Sequence, residues 1–147
     1  MKKLIFMLVA LATTGYASAQ ILSEANVPAA VKSAFTQKYP SVEGVKWEKE
    51  DGNYEAVYTL KGTENSAVLN PQGNILETEA EIKQSQLPPQ VLNYFSKNYP
   101  NQKILEAAKR TTASGKVIYE AAVNGKDILF DTSGKLVKQT TEEEDED

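Results

Sequence analysis

The 147-residue chain contains no cysteine and no histidine. Without cysteine there can be no disulfide staple, no thiolate nucleophile and no Cys-ligated zinc or iron–sulfur cluster. Without histidine the usual general base, the commonest metal ligand and the partner of every Ser–His or Cys–His nucleophile are missing. Long apolar runs are absent too. The longest, Leu4 to Ala12, is too short to cross ~30 Å of hydrocarbon as a helix. Nor is there a basic stripe: 16 Lys+Arg stand against 20 Asp+Glu, a net charge of −4, which argues against a nucleic-acid partner.

What is present begins with an address. Lys2 and Lys3 precede the apolar run, and small residues follow it down to Ala17-Ser18-Ala19, the order of a cleavable secretory signal peptide. Residues 1–19 are therefore expected to be removed, leaving Gln20 first in an exported chain, periplasmic or secreted and not membrane-spanning. No Cys follows the cut, so no lipid anchor can form there. With Lys2 and Lys3 gone, the 20 acids face 14 basic residues, and Glu142–Asp147 supplies six of those acids. The body is thus neutral. Six consecutive acids repel one another and bury nothing, so residues 141–147 read as a disordered acidic tail.

The body repeats itself. VPAAVKSAFTQKYP (27–40) and LPPQVLNYFSKNYP (87–100) match at Pro28/Pro88, Val31/Val91, Phe35/Phe95, Tyr39/Tyr99 and Pro40/Pro100. The apolar matches recur every four residues, which places them on one face of a short helix. A Pro suits the start of such a helix, and a second Pro ends it. Strand-like segments follow each helix, with turns punctuated by Asp51-Gly52, Asn70-Pro71-Gln72-Gly73, Ser114-Gly115, Asn124-Gly125 and Ser133-Gly134. The expectation is α+β: two tandem helix-plus-four-strand antiparallel units, 20–82 and 83–140, with both helices on one face of a sheet. The helices fall at 28–38 and 88–98, and the strands near 43–50, 53–61, 66–70 and 74–79, then 103–112, 116–124, 127–131 and 134–139. Tyr54, Ala56 and Tyr58 alternate with Glu55, Val57 and Thr59, so the aromatic parity should meet the helices and the Glu parity should meet water.

These elements carry a resemblance. A helix opened by Leu-Pro and closed by Tyr-Pro, a strand with Trp47-Glu48, then Tyr54-Glu55-Ala56, and a hairpin of the Phe130-Asp131-x-x-Gly134-Lys135 kind, all in tandem behind a signal peptide, resemble the PepSY-like, β-lactamase-inhibitor-protein-like family of exported bacterial proteins. The likeness covers about residues 26–139. It implies tandem repeats forming a curved sheet, and relatives that bind and inhibit secreted enzymes; it carries over no catalytic motif.

The candidate partner-binding surface is the sheet face away from the helices: Lys46, Glu48, Glu55, Val57, Thr59 and Glu120. Trp47 is the only tryptophan. It is either a binding anchor, as Trp often is at interfaces, or, sharing parity with Val45, a core residue. No cofactor or metal-ligand set is legible, and carboxylate catalysis would need an Asp/Glu pair facing across a cleft with one pKa raised, which these charged strands do not promise. The function expected is a non-enzymatic binding module whose protein partner is a secreted or envelope enzyme that it inhibits or regulates. The alternative is a cation-responsive envelope protein acting through its acidic tail and Asp-Gly turns.

Overall fold

The computed structural model describes residues 20–141; the expected signal peptide, 1–19, and the acidic run 142–147 lie outside the described residues. β1 (Gln20–Leu22) leads through a short 3-10 turn into α1 (Ala29–Lys38), which is followed by β2 (Lys46–Glu50), β3 (Asn53–Leu60), β4 (Thr63–Leu69) and β5 (Ile75–Glu81). A second 3-10 turn leads into α2 (Pro89–Asn98), followed by β6 (Glu106–Thr112), β7 (Val117–Val123), β8 (Lys126–Phe130) and β9 (Leu136–Thr141). The nine strands form one antiparallel sheet in chain order. The sheet does not break between the halves, because β5 pairs with β6, with Glu79 opposite Arg110. The fold class is α+β.

Both helices are bounded as the sequence predicts. Pro28 and Pro88 occupy the position before the first helical residue in extended conformation, with ψ of 142° and 140°. At the other end the Tyr39 and Tyr99 N–H groups donate to the Phe35 and Phe95 carbonyls, each at 2.8 Å, before Pro40 and Pro100 turn the chain away. Three features were not foreseen. β1 pairs with β2, setting Leu22 opposite Trp47; three mostly exposed residues carry too short a pattern to read. β2 and β6 each begin three residues later than expected, at Lys46 and Glu106. β9 runs on to Thr141, into the segment read as tail.

The core lies between the sheet and its helices. Val31 and Phe35 of α1 pack on Trp47, Tyr54, Ala56, Tyr58, Ala67 and Leu69, and Val91 and Phe95 of α2 pack on Ala107, Ala121, Val123, Ile128 and Phe130. The aromatic parity of β3 does meet a helix.

Two turn glycines fix how closely the helices approach. Gly73 and Gly134 follow β4 and β8, in turns closed by Gly73 N–H to Asn70 O at 2.9 Å and Gly134 N–H to Asp131 O at 3.0 Å. At Gly73 (φ +86°) a Cβ would lie 2.6 Å from the Ala30 carbonyl oxygen in the first turn of α1, and at Gly134 (φ +80°) it would run into the Gln90 Cβ in the first turn of α2. A side chain there is penalised twice, by the left-handed backbone and by displacement of a helix. We expect Gly73→Ala to destabilise by about 2–3 kcal/mol, strain and overpacking together. Gly52→Ala, at φ +80° with open space around it, should cost only about 1 kcal/mol, for strain alone. Equal losses for the two variants in urea unfolding would mean that α1 does not rest on this turn.

Candidate functional site on the helix-free face

The register of the sheet fixes which side chains share the face opposite the helices. Reading across the strands, one row runs Glu48, Glu55, Val68, Glu77 and Thr112, and the next runs Lys46, Val57, Ser66, Glu79, Arg110 and Ile118. A third brings Glu81, Ala108, Glu120, Leu129 and Lys138 together. At the centre stands Arg110, the only arginine in the chain. Its Nε lies 3.0 Å from Glu79 Oε2 and 3.2 Å from Glu77 Oε1, and its Nη2 donates to Glu120 Oε2 at 2.8 Å. One guanidinium from β6 thus ties together carboxylates of β5 and β7, joining the two halves of the chain on this face.

The face is not the wet surface the alternation predicts. Glu55 and Glu120 are only 7% and 6% exposed, as are Arg110 (7%) and Glu79 (6%), and Val68, Ala108, Ile118 and Leu129 around them are equally buried. The expectation that the Glu parity meets water is therefore corrected. Charged groups survive burial only when paired or neutralised, and here one arginine serves Glu77, Glu79 and Glu120, with Glu55 three strands from it on β3.

For Trp47 the packing decides between the two readings, against its place on the candidate binding surface. It is 4% exposed and points to the helix side, with its ring edge-on to Phe35 at 5.5 Å, so it is core and not a binding anchor. Of the other predicted residues, Lys46 and Thr59 are exposed while Glu48 and Val57 are partly buried. The structure therefore splits the predicted surface into an accessible margin (Lys46, Glu48, Val57, Thr59) and a buried centre (Glu55, Glu120). Sequence reasoning missed Glu77, Glu79 and Arg110. The signal available was the single Arg in a strand, at a parity that pairs it with the Glu-x-Glu of β5.

Burial has a titration consequence. It pushes Glu55 up to about 7, against a Ser66 hydrogen bond and with help from Glu48, Glu79 and Glu50. Burial likewise pushes Glu120 up to about 8, helped by Glu79 and opposed by Arg110. Glu79 and Glu77 are raised by burial in spite of Arg110. Burial works against the charge on Arg110, but Glu79, Glu120 and Glu77 outweigh it and hold the guanidinium more firmly protonated than usual. The expectation that nothing in these strands would raise a carboxylate pKa is thus overturned. In the unfolded chain these acids titrate near 4.5. Between that value and about 8 the native state therefore binds more protons than the unfolded state, and stability must fall as pH rises through the window. We expect about 2–3 kcal/mol less stability at pH 8.5 than at pH 5.5, or roughly 10 °C in Tm for a domain of this size. A Tm that is flat or rises over this range would show these carboxylates to be solvated.

The Asp-Gly turn at 131–134 is accounted for by its own hydrogen bonds. Asp131 Oδ1 accepts from Ser133 N at 2.9 Å, Ser133 Oγ at 2.6 Å and Lys135 N at 3.0 Å, and those to Ser133 and Lys135 hold its pKa low. Among the described residues no three Asp or Glu are arranged to hold a metal ion, and no helix is long and apolar enough to cross a membrane.

A family described as beta-lactamase-inhibitor-like, PepSY-like matches residues 16–64 and 52–138. The chain belongs to the PepSY-like family. A solved BLIP-like protein from Bacteroides fragilis is 26% identical, with a TM-score of 0.62 over 77% of this chain and 85% of that one. A DUF2874 family protein from Bacteroides ovatus is 24% identical, with a TM-score of 0.68 over 77% and 86% of the two chains. A protein from Bacteroides eggerthii, described as periplasmic, has a TM-score of 0.72 at 18% identity over 78% and 88%. The last two likenesses concern the PepSY-like fold alone. No curated protein matches the chain significantly.

Proposed function

We propose that this PepSY-like chain is an exported, non-enzymatic binding module that docks a protein partner on the helix-free face of its sheet, and that the partner is a secreted or envelope enzyme which it inhibits or regulates. The module is built from two copies of one helix-plus-four-strand unit, residues 20–82 and 83–140, behind a signal peptide cut after Ala19. One observation carries the choice of face: Glu55, Glu79, Glu120 and Arg110, under 9% exposed, sit on the side that neither of the described helices covers. A fold that needed only stability would place apolar residues there, since buried ion clusters gain little over well-packed hydrophobic ones. Carboxylates whose protonation is perturbed by burial and by specific charge partners are candidates for a functional site. The inhibitor-like family and the BLIP-like relative support a protein as the partner.

The carboxylates are not set out as a catalytic pair. An acid–base pair of carboxyl groups faces its substrate from two sides of a cleft, whereas Glu77, Glu79 and Glu120 are all turned onto the Arg110 guanidinium. The reading is tested by cross-linked capture from envelope and culture fluid, comparing the mature chain with Val57→Arg/Thr59→Arg on the helix-free face and Lys32→Glu/Gln37→Glu on α1. Enrichment lost in the first variant and kept in the second supports it. Loss only with the α1 changes, or no enrichment by the unmodified chain, overturns it.

A further inference from the structure

The cluster around Arg110 is unbalanced in two independent ways. The first is charge: Glu77, Glu79 and Glu120 contact one guanidinium, and Glu55 lies on the same face two strands beyond Glu79. Lys46 and Lys138 share the face but stand toward its two ends, opposite Val57 and Leu129. The second is hydrogen bonding. Glu79 is 94% buried (6% exposed), and while its Oε2 accepts from Arg110 Nε, its Oε1 is enclosed and has no hydrogen-bond partner among the described residues. A buried carboxylate oxygen left without a donor costs on the order of 1–3 kcal/mol or more, so the folded chain carries an unmet demand for a donor at this atom.

We infer that the helix-free face is a receptor for a basic side chain, an arginine or lysine presented by the partner protein, which enters beside Glu79 and is held by Glu79 Oε1 together with Glu55. The inference rests on the docking face proposed above and names the chemistry that face recognises. The geometry selects this kind of cation. A metal ion needs several oxygens free to converge on it, and among the described residues no three Asp or Glu are arranged to hold one; Glu77, Glu79 and Glu120 are already turned onto Arg110. A guanidinium or ammonium donates in several directions at the end of a slender stem and suits separated acceptors. Across the strands Glu79 stands between Ser66 and Arg110, and Glu120 between Ala108 and Leu129, so each has one small neighbour on this face. Partly buried Glu48 and Val57, and Glu77 with 21% of its side chain exposed, mark the margin from which such a side chain approaches. A cation seated there stabilises the ionised carboxylates and so expels protons that the empty site holds near neutral pH.

The test titrates the mature chain, with ¹³C-labelled glutamate side chains, using acetyl-arginine methylamide, acetyl-lysine methylamide and the uncharged acetyl-citrulline methylamide at constant ionic strength and pH 7.5. We expect saturable shifts of the Glu79 and Glu55 carboxyl carbons with the arginine or lysine probe at millimolar concentration, no saturation with citrulline, and proton release on binding. Glu79→Gln should abolish the response. That variant removes excess negative charge and is expected to remain folded, which thermal unfolding checks. Equal responses to all three probes, no saturation, or an unchanged response in Glu79→Gln overturns the inference. So does a response to calcium chloride alone, which would assign the carboxylates to a metal. If capture maps to the helix-free face but is indifferent to Glu79→Gln, the receptor inference falls and the docking face stands.

Discussion

Replacing Arg110 by methionine is expected to destabilise the fold by about 3–5 kcal/mol at pH 8, the usual consequence of removing one partner from a buried ion cluster. The side chain is 9% exposed and is in contact with Glu77, Glu79 and Glu120, all within 3.2 Å. Methionine fills much of the same volume, so the loss comes from stranded carboxylates and not from a cavity. That origin has a signature. At pH 5 the orphaned carboxyls take up protons at smaller cost, and the penalty should shrink to about 1–2 kcal/mol, near that of ordinary lost hydrogen bonds. Arg110→Met/Glu79→Gln should recover part of the loss at pH 8, because the second change removes one of the charges the first leaves exposed to burial. Urea unfolding of the unmodified chain and the two variants at both pH values checks this. A penalty independent of pH would mean that Arg110 contributes by packing and that the cluster is not an electrostatic unit.

Much of this architecture was legible because the relevant patterns are local. Val31 and Phe35, like Val91 and Phe95, stand four apart between prolines, and both pairs are buried against the sheet. The Gly-containing turns and the alternation Tyr54, Ala56, Tyr58 set the strands and the face that meets α1. The state of the opposite face was not legible. Whether Glu55 is wet or dry depends on Val68 and Glu77, which reach it only through the β3–β4–β5 pairing. The contact that defines the site joins Glu79 to Arg110 across 31 residues of sequence. Alternation assigns a residue to one face or the other; it cannot say that the polar face is itself buried. The pairing of β5 with β6 makes the difference, since it brings the Glu-x-Glu of one half beside the lone arginine of the other.

Trp47 marks the other limit, where two local readings compete and only packing decides. Replacing it by alanine is expected to cost about 3–5 kcal/mol, the range for emptying a large aromatic from a core. Trp47 lies edge-on to Phe35 at 5.5 Å, and Phe35 in turn packs edge-on to Tyr58 at 5.1 Å, so the cavity would open beside α1. The second half shows what can fill that space. Ala107 stands where the repeat places Trp47, and its volume is supplied by Tyr94 and Phe130, whose rings meet at 5.2 Å. Their counterparts in the first half are Ala34 and Leu69. Trp47→Ala alone should therefore be severely destabilising, whereas Trp47→Ala/Ala34→Tyr/Leu69→Phe should regain a substantial part of the loss by adopting the second core's solution. As the only tryptophan, Trp47 also reports on itself: its fluorescence in the native chain should be blue-shifted and poorly quenched by acrylamide. An exposed anchor would predict free quenching and a stability change within about 0.5 kcal/mol on truncation.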